Sequence, residues 1–134
     1  MLNYDTSGVQ IEIVGEEPGI YIFDNMAATG KTRLFYLLRE LEQKGESIFT
    51  CTYNDILSNH TEYLDEKLKY CLDNHVKIIM LDRYDMYNGQ GANLIRECSA
   101  ESIIFIVCNA PLNMDAPVEM CFLEADQNKI DLLL

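Results

Sequence analysis

Two nearly unbroken apolar runs, residues 76–81 and 103–108, constrain the fold of this chain more than any other feature. A strand that is solvated on one face alternates polar and apolar side chains, whereas a strand buried on both faces does not. Such strands are typical of parallel sheets covered by helices, and the chain between the two runs offers a short helix over 93–98. We therefore expect both runs in the centre of a parallel sheet.

The N-terminal third of the chain predicts two strands and a helix. Residues 9–13 alternate apolar and polar side chains, and residues 20–23 form a short apolar run. The glycines and proline of 15–19 are typical of a turn, so we expect these two strands to pair as a hairpin. A helix is predicted from Lys31 to about Lys44, because its leucines recur at helical spacing on one face.

The remaining segments complete the pattern. A strand is predicted over 47–53 and a helix over 61–74, and the segments 118–123 and 129–133 are expected to form a terminal hairpin. This order predicts an α/β fold: a three-layer sandwich with a mostly parallel sheet flanked by helices, and antiparallel hairpins at the N- and C-terminal ends. At 134 residues, the chain is expected to form one domain over 1–134.

Composition argues against several classes of function. The formal net charge of −12 disfavours general nucleic-acid binding, since a polyanion is repelled at long range. No apolar run is long enough to cross a membrane and the N-terminus lacks the features of a signal peptide, so we expect a cytoplasmic protein without membrane contacts. The five cysteines form no CxxC pair and no metal-ligand spacing with the two histidines, which favours free thiols in a reducing compartment.

The loop between strand 20–23 and the helix carries the most specific chemical signal. Backbone N–H groups of such a loop and of a helix N-terminus point at a bound anion, and the helix dipole favours negative charge there. Glycine allows close approach of phosphate oxygens, lysine can contact the β- and γ-phosphates, and a threonine hydroxyl is a ligand for Mg²⁺. The predicted phosphate-binding residues are Asn25, Met26, Ala27, Ala28, Thr29, Gly30, Lys31 and Thr32.

This loop resembles the Walker A element of the P-loop NTPase superfamily, GxxxxGK[ST]. Three of its four specified positions match, and Asn25 stands in place of the first glycine, which makes the entry turn in that family. Asparagine tolerates left-handed backbone angles comparatively well, so the loop remains compatible with the motif. The resemblance covers roughly residues 19–110 and implies binding of ATP or GTP with Mg²⁺.

Two further positions fit the same resemblance. The run 77–82 resembles the Walker B element, an apolar strand that ends in an aspartate, and Asp82 is thereby implied as a second support for Mg²⁺. Asn109 closes the next strand, where one branch of the superfamily carries a polar residue that senses the γ-phosphate; a simple turn role before Pro111 is an equal alternative. The family order also implies that strand 103–108 lies between the strand before the loop and the strand ending at Asp82, all parallel.

The catalytic part of the family pattern is incomplete. The same branch places a glutamate next to the Walker B aspartate to polarise the attacking water, but here Arg83 follows Asp82. The nearest carboxylate, Asp85, is a candidate to activate water from a loop, or else a solvated surface group. Asp85 and Asn109 are therefore the candidate catalytic residues. No segment resembles an arginine-rich kinase lid, so we expect hydrolysis to be slow or dependent on a partner.

Three functions remain open at this point. The first is a small nucleoside-triphosphate-binding protein of P-loop type that uses ATP or GTP with Mg²⁺ and has a protein partner. The second is a non-catalytic protein-interaction module that kept the P-loop fold, which Asn25 and the missing glutamate favour. The third is a small-molecule or nucleotide kinase, which needs a cationic acceptor pocket that the sequence does not show.

Overall fold

The computed structural model describes residues 1–23 and 30–134, and these residues form eight strands, four α-helices and one 3-10 turn. The strands are β1 (Leu2–Thr6), β2 (Val9–Val14), β3 (Gly19–Phe23), β4 (Ile48–Cys51), β5 (Ile78–Leu81), β6 (Ile103–Ile106), β7 (Val118–Ala125) and β8 (Lys129–Leu133). The helices are α1 (Lys31–Gln43), α2 (Tyr53–Leu57), α3 (Tyr63–Asp73) and α4 (Ala92–Cys98), and the 3-10 turn is Tyr84–Tyr87.

All eight strands belong to one sheet, in the order β1-β2-β8-β7-β3-β6-β5-β4. The strands from β7 to β4 run parallel to one another, and β2 is parallel to β8. β1 pairs antiparallel with β2, and β8 pairs antiparallel with β7. The expected position of strand 103–108 is confirmed, because β6 lies between β3 and β5 and is parallel to both.

The predicted fold class is wrong. The chain does not form a three-layer sandwich on a mostly parallel sheet; it forms a mixed eight-stranded sheet that is strongly curled, like half of a barrel, with four helices. The reason lies in β2, β7 and β8, which bury side chains mainly on one face. A strand with one apolar face needs only one covering layer, so these strands extend the sheet around α1 without being enclosed between helices.

Hairpins occur near both ends of the chain, but only the C-terminal one has the predicted strands. β7 and β8 pair antiparallel, which confirms that hairpin. The predicted pairing of 9–13 with 20–23 is wrong, because β2 pairs with β1 and β8 while β3 pairs with β6 and β7. The first hairpin is β1–β2, whose turn holds Ser7 and Gly8 at φ of 52° and 76°.

A hydrophobic core lies on each face of the parallel half of the sheet. On one face α1 packs its leucines against β3, β5 and β6, and the same core extends over β2, β7 and β8. On the other face α3, α4 and the 3-10 turn pack against β3, β4, β5 and β6. Every residue of β5 and β6 is buried, as their unbroken apolar sequence requires. The carboxyl ends of these strands are therefore held in place by packing on both sides.

The longer helices agree with the sequence predictions. α1, α3 and α4 correspond to the expected helices over 31–44, 61–74 and 93–98. The five-residue α2 has no counterpart among the predictions, because it depends on a local capping box: the Thr52 side chain accepts from the Asp55 N–H, and the Asp55 side chain accepts from the Thr52 N–H. In the described part of the chain, no helix is long and apolar enough to cross a membrane.

Candidate functional site

An open cleft of about 610 Å³ lies at the carboxyl ends of β5 and β6, beside the N-terminus of α1. Ligands of parallel sheets commonly bind at this edge, because the loops that follow the strands converge there. The first two residues of α1, the two residues after β5 and the segment after β6 form its walls. The residues that line the cleft are Lys31, Thr32, Asp82, Arg83, Val107, Cys108 and Asn109.

Four of the residues singled out from the sequence therefore meet in one cleft: Lys31, Thr32, Asp82 and Asn109. They come from three separate stretches of the chain, and the parallel order of β3, β6 and β5 brings these stretches to the same edge of the sheet. The other predicted loop residues, Asn25, Met26, Ala27, Ala28 and Thr29, lie outside the described residues, as does Asp24.

Gly30 sets the start of α1 at the mouth of the cleft. Its backbone has φ 102° and ψ −18°, and its carbonyl oxygen accepts the first helical hydrogen bond from the Leu34 N–H at 2.8 Å. A Cβ at this position would lie 2.8 Å from Cδ2 of Leu123 on β7, which leaves no room for a side chain. Among the described residues, no side chain caps the helix and its first turn carries no acidic residue, so none of their carboxylates competes with an anion for the N–H groups of that turn.

Asp82 follows β5 directly and forms the acidic wall of the cleft. Its N–H donates to the Cys51 carbonyl oxygen at 2.9 Å, which continues the β4–β5 ladder by one residue. Burial raises the pKa of the Asp82 carboxyl above its ordinary value and neighbouring Asp85 adds to that effect, while Arg83 opposes it. A carboxylate that has lost part of its hydration in this way gains from a nearby cation.

Asp85 holds the rim of the cleft together and is not among the residues that line it. Its Oδ1 accepts a hydrogen bond from the Asn109 N–H at 3.3 Å and lies 3.6 Å from Nε of Arg83. The Tyr84 N–H also donates to the Val107 carbonyl oxygen at 2.9 Å, which fixes the 3-10 turn to the end of β6. In this arrangement, the contacts of Asp85 position Arg83 and Asn109.

Arg83 and Cys108 also line the cleft, although neither was predicted from the sequence to be a site residue. Arg83 has a left-handed backbone with φ 55°, so its side chain leaves the end of β5 in a direction that the apolar run alone does not predict. Cys108 is the last residue of the apolar run that precedes Asn109. Its place at the end of a predicted strand is the sequence feature that could have indicated a site residue. Burial raises the pKa of the Cys108 thiol, so it serves as a neutral wall and not as a thiolate nucleophile at neutral pH.

Metal binding by protein groups alone finds no support in residues 1–23 and 30–134. No cluster of three or more His, Cys, Asp or Glu side chains there could hold a metal ion. Mg²⁺ differs from most metals, because it keeps several waters and takes one or two protein oxygens together with substrate phosphates. Thr32 and Asp82 line the cleft and could supply that smaller set, and the partly desolvated carboxylate of Asp82 would suit a divalent cation.

Comparison with known proteins gives no further guide. The chain matches no protein-family model, no curated protein and no solved structure. The cleft and the motif that leads into it are therefore the features that indicate a function.

Proposed function

We propose that the chain binds a nucleoside triphosphate, ATP or GTP, with Mg²⁺ in the cleft at the N-terminus of α1. The observation that carries this proposal is the meeting of Lys31, Thr32, Asp82 and Asn109 in one cleft at the carboxyl ends of parallel strands. An ammonium group, a hydroxyl, a carboxylate and an amide from three stretches of chain match what a metal-bound polyphosphate needs. The proposal includes a cytoplasmic location, which the five free cysteines support.

The electrostatics of the cleft support an anionic ligand with its own cation. Lys31 and Arg83 bring positive charge, and the N-terminus of the 13-residue helix α1 adds the positive end of its dipole. Asp82 would repel phosphate by itself, so its presence in the same cleft fits a bridging metal ion. In the proposed complex Lys31 contacts the terminal phosphates, and Thr32 and Asp82 hold Mg²⁺, directly or through water.

Hydrolysis by the isolated chain is proposed to be slow or dependent on a partner. When bound, Mg²⁺ would neutralise part of the negative charge on the phosphates. Among the described residues, the carboxylate nearest to Asp82 in sequence is Asp85, and it is engaged by the Asn109 N–H and faces Arg83. A carboxylate held in this way orients the rim of the cleft and is poorly placed to activate water.

The first prediction is that triphosphate stabilises the fold and that Lys31 is essential for this effect. With Mg²⁺ and ATP or GTP at about 100 times the dissociation constant, the free energy of unfolding should rise by about 2.7 kcal/mol. Lys31→Ala should remove the gain and leave the fold intact, because the lysine lies at the cleft and outside the core. Thermal denaturation of both chains with and without ligand measures this.

Lys69→Ala is the matched control for Lys31→Ala, since Lys69 is an exposed lysine on α3, away from the cleft. It should keep the full nucleotide-dependent gain in stability. Calorimetry that gives the same triphosphate affinity for Lys31→Ala, Lys69→Ala and the parent chain would contradict the proposed function.

A further inference from the structure

The outer face of β2, β8 and β7 carries an apolar row that the fold leaves open. Val14 pairs with Leu133, which pairs in turn with Phe122, so these three side chains lie side by side across three strands. Met120 lies two residues before Phe122 on the same face and pairs with Ile22 of β3. Val14, Met120 and Phe122 are 41%, 50% and 51% exposed, which is unusual for a cluster of large apolar side chains.

No described helix covers this face, although most of the opposite face of the same strands is buried. Cys121, Ile130 and Leu132 point the other way and pack in the core with α1. The helices on the outer side, α3 and α4, pack over β3 to β6, and partly buried Val118 at the start of β7 lies at the margin of that core. The outer face of β2, β8 and β7 is therefore an apolar surface that no described helix covers.

An acidic row lies next to the apolar row. Glu12, Asp131 and Glu124 are paired across β2, β8 and β7, two residues along each strand from Val14, Leu133 and Phe122. Lys129 is the single basic residue in the sequences of these three strands, and its Nζ lies 3.4 Å from Glu12 Oε2 and 3.7 Å from Asp131 Oδ1. The two carboxylates raise the pKa of Lys129, so negative charge dominates around it. Asp131 Oδ1 is itself buried and accepts no hydrogen bond from the described residues.

We propose that this face, the apolar row with its acidic neighbour row, docks an amphipathic basic helix of a partner protein. The helix would lie on the outer side of β2, β8 and β7 as α1 lies on the inner side, with apolar side chains over Phe122 and Met120 and lysines or arginines over Glu12, Asp131 and Glu124. Charge complementarity selects this occupant. This inference goes beyond nucleotide binding and needs no nucleotide for its test.

A second copy of the chain is the less suitable occupant. Each copy carries a formal net charge of −12, and a two-fold interface would bring two acidic rows into one buried surface. Like charges placed together at an interface oppose association. A basic partner gains from the same charges that repel a second copy.

The test uses the full chain and a synthetic helical peptide as the probe. The protein contains no tryptophan, so a peptide of about 18 residues, or five helical turns, with leucines and one tryptophan on its apolar face and lysines beside them gives a fluorescence signal of its own. The peptide should bind with a blue-shifted emission. The same peptide with glutamates in place of lysines should bind at least about tenfold more weakly.

Variants of the proposed face separate specific docking from general attraction to an acidic protein. Phe122→Ser and Glu124→Lys should each weaken binding of the lysine peptide about tenfold or more. The matched controls are Leu57→Ser, at a 62% exposed leucine at the end of α2, and Glu46→Lys, at an exposed glutamate after α1; both should leave binding unchanged. Glu124→Lys removes no apolar surface, so it tests the face even where Phe122→Ser perturbs the fold.

Three results would overturn this proposal. The first is no binding of the lysine peptide up to about 1 mM, and the second is equal weakening by the face variants and their controls. The third is a dimer in sedimentation that Phe122→Ser dissociates, which would assign the face to a second copy of the chain.

Discussion

Gly30, which precedes the cleft residue Lys31, is constrained both by its own backbone conformation and by a neighbouring side chain. It needs a positive φ, and it also lies against the Leu123 side chain of β7. In the P-loop resemblance a glycine at this position serves the phosphate, which needs close approach of the backbone. Here the same glycine also lets the start of α1 pack on the sheet, so a requirement of the proposed ligand and a requirement of the fold coincide.

The second prediction is that Gly30→Ala destabilises the chain more than Gly45→Ala. The two glycines have nearly the same φ, 102° and 98°, so both variants carry the strain of a left-handed alanine, about 1–2 kcal/mol. Only Gly30 also meets a neighbour, Cδ2 of Leu123 at 2.8 Å, whereas a Cβ at Gly45 would have no heavy atom within 4 Å. The excess loss should be about 1–3 kcal/mol in urea denaturation. Equal losses would show that Leu123 moves away freely.

The third prediction concerns the raised pKa of Asp82. A raised pKa is expected of a carboxylate whose role is to bind a ligand and not to stabilise the fold. A folded pKa above the ordinary 3.8 means that folding favours the protonated acid, so the charged form weakens the fold above the folded pKa. Below 3.8 the acid is protonated in both states and the effect vanishes. Asp82→Asn should therefore be more stable than the parent chain at pH 7 and equal to it at about pH 3.

Urea denaturation at the two pH values measures the effect of Asp82→Asn. Asp5→Asn, at an exposed aspartate of β1, is the control and should show no comparable gain at pH 7. A less stable Asp82→Asn chain at pH 7 would mean that the carboxylate supports the fold and that burial is not its dominant influence.

At the scale of elements, the edge strand β4 explains why the sheet ends where it does. The Thr50 N–H on its outer side donates to Oε1 of Glu42 at 3.0 Å, and the Thr50 hydroxyl donates to the same oxygen at 2.5 Å. Arg39 donates to the Thr50 carbonyl oxygen at 3.3 Å and pairs with Asp55. Side chains of α1, with Arg39 held by Asp55 of α2, thus occupy the backbone groups of Thr50 that a further strand would use.

The fourth prediction is that Glu42→Ala destabilises the chain by about 1–3 kcal/mol, because it leaves the N–H and hydroxyl of buried Thr50 without their acceptor. Glu46→Ala, a nearby change at an exposed glutamate, should alter the stability by less than about 0.5 kcal/mol. Chemical denaturation compares the two variants. A loss for Glu42→Ala no larger than for Glu46→Ala would show that water replaces the carboxylate at this edge.

Elements were predictable from the sequence where local pattern decided them. The runs that became β5 and β6 and the leucine stripe of α1 carry their period in the sequence, and the structure has these elements at the expected places. The partners of β2 were not predictable in this way. Alternation in Val9–Ile13 shows that one face is buried but not against what, and its neighbour β8 is more than a hundred residues further on. The fold class was wrong for this reason.

The candidate site could be predicted to a similar extent. Strand ends in a parallel sheet share one edge, so a motif before α1 and polar residues after β5 and β6 imply a common cleft, and Lys31, Asp82 and Asn109 do line one. The contacts of Asp85 depend on the left-handed turn at Arg83, which no periodic pattern encodes. Asp85 could therefore be predicted as a candidate residue, but the contacts of its carboxylate at the rim of the cleft could not.

At the scale of the whole molecule, the curled sheet has two halves with different surroundings. The half from β3 to β4 is covered on both faces and carries the cleft, whereas β2, β8 and β7 are covered only by α1 among the described elements. β7 joins the halves: Leu123 and Ala125 lie next to Gly30, while Phe122 and Met120 face outwards. A protein bound on the outer face of β7 would therefore lie close to Gly30, which belongs to the proposed phosphate site.

The fifth prediction is that the isolated chain hydrolyses ATP or GTP far more slowly than the roughly 10 per second of a typical enzyme. Cleavage of a triphosphate on a P-loop depends on a positioned water and on positive charge that stabilises the transferred group. Arg83, the residue after Asp82, is permanently protonated and cannot accept a proton from the attacking water, and Asp85 is engaged by the Asn109 N–H. An arginine supplied by a partner is worth roughly 10³–10⁵ in rate in P-loop proteins, and a chain that lacks it is correspondingly slow.

Phosphate release at saturating nucleotide and Mg²⁺ measures this rate. Binding should persist while turnover is slow, because Lys31, Thr32 and the N–H groups at the start of α1 do not depend on a catalytic carboxylate. Asp85→Ala should change the slow rate only modestly. Turnover near 10 per second that survives Asp85→Ala and is lost in Lys31→Ala would contradict the prediction, since it would require a catalytic group other than Asp85 that acts on the bound triphosphate.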